Sequence, residues 1–93
     1  MKVISSKYNE TYKFLVKVSK KSNVRKKNQK FIVEGLKEIN LCINSNYEID
    51  SFFTSDKNFD FKNIIYNNCE KRFLLTKDLM RLLLTDQQQK LLQ

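Results

Sequence analysis

The chain of 93 residues holds one glycine and no proline. Almost every turn must therefore be made by residues that carry a Cβ, and the one position exempt from this, Gly35, constrains the fold most. It closes the stretch RKKNQKFIVEGLK, residues 25–37, in which a basic polar segment gives way to Phe31, Ile32 and Val33 and then to Glu34. A short β-branched apolar run without helical alternation predicts a buried strand over 31–33, and the pattern from Leu36 to Ile43 predicts a helix. Gly35 then joins strand to helix. It supplies a backbone angle or a close approach that a Cβ would forbid, or it is simply a tight turn. Glu34 beside it has a structural reading: it neutralises Arg25 or Lys30 across the turn, or accepts from free helix amides.

Charge is the second constraint. Residues 1–37 carry eleven Lys and Arg against two acids, whereas residues 38–93 carry seven against eight, so the whole excess of the +8 chain lies in its first part. Seven cations, Lys17, Lys20, Lys21, Arg25, Lys26, Lys27 and Lys30, fall within fourteen residues. A field of that density attracts phosphates, and the expectation is a polyanionic partner, nucleic acid ahead of membrane. Tyr8 is the exposed aromatic residue available for base stacking, because Tyr12 and Phe31 fall on predicted core faces.

Ninety-three residues suffice for one domain, 1–93, with one core. No run approaches a membrane span and the N-terminus lacks the apolar core of a secretory signal, so a cytoplasmic protein is expected. Cys42 and Cys69 are expected as buried reduced thiols. With no histidine and two cysteines, an ordinary zinc site cannot be built. Nor is there a glycine-rich phosphate loop or a partnered nucleophile, and Asp56 with Asp60, the nearest approach to a carboxylate pair, lies in a polar loop. This chain by itself is not expected to be catalytic.

Asn9 is placed to cap a helix running to Lys20 or Lys21, with Tyr12, Leu15 and Val16 on one face and Lys13, Lys17 and Lys20 on the wetter side. Residues 24–30 form a polar connection with room for a helical turn. A strand over 49–54 would complete a parallel βαβ unit with 31–33. Phe61, Ile64, Ile65 and Cys69 repeat at helical spacing, residues 72–75 read as a strand, and Thr76 caps a short helix with Leu79, Met80, Leu82 and Leu83.

Taken in order, Ile4-Ser5-Ser6, Asn9 opening a basic helix, Lys20-Lys21, Arg25 and Phe31-Ile32-Val33-Glu34-Gly35 resemble the N-terminal substrate-binding domain of SpoU-type (TrmH) RNA ribose 2'-O-methyltransferases, which opens with a similar ISS…N…K segment followed by R…F.VEG and a helix. The strand over 49–54, residues 73–76 and Leu83-Leu84-Thr85 fall in the family's order, so the resemblance covers nearly the whole chain. It implies a three-layer α/β/α sandwich with a small, mostly parallel sheet of three to four strands, similar to ribosomal proteins that bind kinked RNA. It also implies structured ribosomal or transfer RNA as partner, held for a separate trefoil-knot domain that would follow Gln93 and bind S-adenosylmethionine. No cofactor would then belong to this chain, which would be monomeric, the intact protein dimerising through its catalytic domain. At the C-terminus, Thr85-x-x-Gln88 and QQQKLLQ favour helix by local rules, but the resemblance implies a turn and a short fourth strand beginning at 90–93, which is the expectation adopted.

Two alternatives remain: a free-standing RNA-binding protein of the same sandwich type, and a module that docks an acidic protein partner.

Overall fold

The computed structural model describes residues 1–63 and 69–92. The element order is β1 (Lys2–Ile4), α1 (Glu10–Lys20), α2 (Ser22–Asn28), α3 (Leu36–Asn44), β2 (Phe52–Thr54), a 3-10 turn (Phe61–Asn63), β3 (Arg72–Leu75) and α4 (Lys77–Leu92). This is a small α/β fold with a three-stranded, all-parallel sheet in the order β1-β3-β2.

Register fixes the two faces of that sheet. Ile4 lies beside Leu75, and Phe53 beside Phe73, so these four side chains share one face. They join Tyr12 and Leu15 of α1 and Leu79 and Leu83 of α4 in a single core, with Phe53 and Phe73 stacked at 5.2 Å. On the opposite face Phe52 is buried beneath Phe59 and Phe61, with ring centroids about 5 Å apart. Val3, on the same face at the other edge, is exposed.

Local chemistry sets the helix ends. The Asn9 side chain accepts the Tyr12 amide at 3.1 Å, as its position predicts, and Tyr12, Leu15 and Val18 become the buried stripe of α1. Thr76 likewise accepts from the Leu79 amide at 3.3 Å. Asn46 ends α3 with a positive φ of 71°, and the Tyr47 and Asn46 amides return to the Cys42 and Ile43 carbonyls, a left-handed stop that asparagine tolerates well.

Gly35 has φ 90° and ψ 142°, a region that residues with a Cβ avoid, while no heavy atom lies within 4 Å of where a Cβ would stand. The turn therefore requires the angle and not a close approach. Gly35→Ala is expected to cost about 1–3 kcal/mol from backbone strain alone. Urea unfolding followed by circular dichroism reads this directly; a midpoint equal to wild type would show that the angle is not required.

Several expectations are corrected. Residues 31–33 form no strand. The sheet is built on β3 at its centre with β1 and β2 as neighbours, and β1, only three residues long, carries too little alternation to be read from sequence. The β-branched content of 31–33 reflects a half-buried extended path in which Ile32 packs against the core and Phe31 is 52% exposed, rather than on a core face. The parallel pairs are accordingly β1 with β3 and β2 with β3, not 31–33 with 49–54. Helix α3 buries no residue fully; Ile39, Cys42 and Ile43 are half-buried. Both cysteines are free thiols, as expected, but half-buried. Residues 90–92 lie in α4 instead of beginning a strand, because the helix formers of 85–92 continue a helix already begun at Lys77. Of the helix expected beyond Phe61, a 3-10 turn is seen, and residues 64–68 lie outside the described residues.

Candidate nucleic-acid interface

The cations meet where α1 hands over to α2. Lys17 and Lys20 occupy the last turn of α1, Lys21 is the joint, and Arg25, Lys26 and Lys27 fill the last turn of α2. Part of this charge serves the helices themselves, since the ends of both carry the negative pole of the backbone dipole. Arg25 is most clearly committed: its Nη1 donates to the Val18 carbonyl at 2.8 Å and the Ser19 carbonyl at 3.1 Å, which fastens α2 to the end of α1. Lys20 is half-buried. Lys17, Lys21, Lys26 and Lys27 are exposed.

Two backbone amides at this junction are taken up by the helices themselves. The Lys21 amide donates to the Lys17 carbonyl and the Arg25 amide to the Lys21 carbonyl. What faces solvent at this corner is the side chains of four exposed lysines, at the C-terminal turns of α1 and α2 and the joint between them.

The structure separates the remaining candidates from that corner. Lys30 turns away and donates to Asp50 at 2.9 Å, with Lys71 3.9 Å from the same carboxylate. Its charge is largely neutralised there. The Lys30 hydrogen bond, followed by that of the Ser51 hydroxyl, holds the Asp50 carboxyl below its ordinary range, the two lysine charges adding and burial opposing. A carboxyl with a lowered folded pKa contributes stability above its unfolded pKa, and that contribution fades as pH falls through the folded value. Because the site is half open to solvent the effect is small. Asp50→Asn is therefore expected to flatten the acid limb of a plot of stability against pH and to change little at neutral pH; an unaltered acid limb would assign the ion pair no role.

Glu34 does not neutralise Arg25 or Lys30 as expected, since both cations have other partners, and among the described residues no ion pair reaches it. Gly35 is the N-cap of α3 and has no side chain with which to cap. Tyr8 is 73% exposed, with the Lys7 ammonium 5.4 Å from its ring, but it precedes Asn9 and so lies a helix length, about 16 Å, from the cationic corner. Sequence reasoning missed the exposed pair of Phe31 and Tyr47, whose rings meet edge to face at 5.2 Å. The strand reading had hidden Phe31, and no sequence signal joins it to Tyr47.

Among the described residues there is no cluster of three or more His, Cys, Asp or Glu able to hold a metal ion, and no helix long and apolar enough to cross a membrane. Compared with known proteins, residues 9–91 match the family model described as the MRM3-like substrate binding domain. No curated protein and no solved structure matches the chain.

Proposed function

The chain belongs to the MRM3-like substrate-binding domains, the substrate-binding part of SpoU-type rRNA methyltransferases, and on that premise we propose that it grips structured ribosomal or transfer RNA through the α1–α2 corner and holds it for 2'-O-ribose methylation by a catalytic domain. The observation that carries this reading is the placement of Lys17, Lys21, Lys26 and Lys27, all exposed, on the last turns of α1 and α2 and the joint between them, in a chain whose whole excess of positive charge lies in residues 1–37. S-adenosylmethionine belongs in this proposal to the catalytic domain. The one glycine here stands at a turn between extended chain and helix, and no glycine-rich cradle is available for a nucleotide-like donor. The domain's own part is therefore binding and orientation, which lower the entropic barrier for a reaction completed elsewhere. A cytoplasmic site of action and an intact protein that dimerises through its catalytic domain belong to the same proposal.

Binding by ammonium groups to phosphates releases counterions. For four engaged lysines, log affinity should fall with log salt at a slope of about 3, from roughly 0.7–0.9 per phosphate. Filter binding of a ribosomal RNA stem-loop across a salt series measures this. A slope near zero, or no retention even at low salt, would remove the reading.

A further inference from the structure

Between the extended residues 31–34 and α3 lies a shallow groove of about 410 Å³ that the cationic corner does not use. It is open, and its apolar lining is accessible: Phe31, Leu41 and Tyr47 are each about half exposed. The edge-to-face contact of the two rings holds them in place while leaving surface free. Glu34 and Glu38 also line the groove, and among the described residues no cation pairs with either. One wall is itself unfinished. Residues 31–34 are extended, and among the described residues none of their backbone groups is hydrogen-bonded, which leaves a strand edge without a partner.

We propose that this groove binds an extended, cationic peptide segment of a partner protein, which pairs with the backbone of residues 31–34, sets an aliphatic side chain against Leu41 and Tyr47, and brings a Lys or Arg to Glu34 and Glu38. The three observations select the same occupant. The free edge requires an extended chain, the exposed apolar lining requires an aliphatic anchor, and the two carboxylates require positive charge. RNA fits poorly, because the carboxylates repel phosphates. A second copy of the chain fits poorly as well, because its own extended residues 31–34 would bring Glu34 to the carboxylates, and the neighbouring cation Lys30 is already paired with Asp50. The inference does not depend on the RNA reading, and its test contains no RNA in the arms that support it.

Random twelve-residue peptides are selected on the RNA-free protein by phage display, and the enriched peptide is synthesised and titrated by fluorescence anisotropy. The expected consensus alternates aliphatic residues with Lys or Arg. Its affinity should fall at least tenfold with Leu41→Asp and with the double change Glu34→Lys, Glu38→Lys, and should be unchanged by Lys26→Glu. Bound peptide should also protect the Ile32 and Val33 amides from hydrogen exchange. Both variants change exposed residues, so circular dichroism should match wild type. An acidic consensus, no consensus, or affinity indifferent to Leu41→Asp would overturn the proposal. So would dimerisation abolished by Leu41→Asp, which assigns the groove to a second copy, or RNA affinity lost with Tyr47→Ala, which assigns it to a base.

Discussion

Replacing Lys21, Lys26 and Lys27 by Glu is expected to weaken RNA binding about a hundredfold at physiological salt and to lower the salt slope by about 2 to 3, because three phosphate contacts and their released counterions are lost together. These three are chosen for their exposure. Arg25 is left intact, because its guanidinium holds the end of α1 and its loss would confuse a binding effect with a folding one. The control is Lys57, Lys62 and Lys77 changed to Glu, which alters the net charge by the same six units at exposed positions outside the basic part of the chain. Net charge alone would weaken both triple variants equally through long-range attraction, which salt screens. A localised site weakens the first far more, by losing contacts. Filter binding of one RNA stem-loop to the three proteins over a salt series separates the cases. Equal losses in the two variants would mean that the α1–α2 corner is not where RNA lands.

The largest stability effect is expected at Tyr12. Its ring is 2% exposed, packed among residues from the sheet, α1 and α4, and its hydroxyl donates to the Leu79 carbonyl at 2.7 Å. Tyr12→Ala removes a large buried ring and leaves a cavity between α1 and α4, a change that costs about 3–5 kcal/mol. Domains of this size are stable by only about 5–14 kcal/mol, so the variant should be close to unfolding at 37 °C. Tyr12→Phe keeps the ring and loses the hydroxyl; the cost should be about 1 kcal/mol, a fall in melting temperature of about 4–8 °C. Thermal and urea unfolding of the two variants together divide packing from hydrogen bonding. A Tyr12→Ala cost below that of Tyr12→Phe would contradict the placement of this ring in the core.

That core was partly legible beforehand. Tyr12 and Leu15 repeat at helical spacing behind an asparagine whose oxygen can reach the third amide, and both signals are local, so they survive in the folded chain. The same holds for Thr76 as the start of α4 and for the strand over 72–75. Among the candidate site residues, the clustering of cations between Lys17 and Lys30 was legible as a count. Their division was not. Arg25 and Lys30 look equivalent to Lys26 and Lys27 in sequence, and differ because Arg25 meets carbonyls six and seven residues back while Lys30 meets Asp50 twenty residues on.

The sequence by itself determined the starts of α1, α3 and α4, Tyr12 and Leu15 of the buried stripe of α1, a turn at Gly35 and the placement of excess positive charge in the first 37 residues. Each depends on forces acting within one or two helical turns, or on composition alone. Tertiary structure decided which extended segments became strands. A strand exists only with a partner, and the partnership of β1 with β3 is formed across about seventy residues of chain, at a distance where local pattern carries no information. The same competition left residues 31–34 extended and unpaired despite their β-branched composition, exposed Phe31 beside Tyr47, and carried α4 through the end that family likeness assigned to a strand.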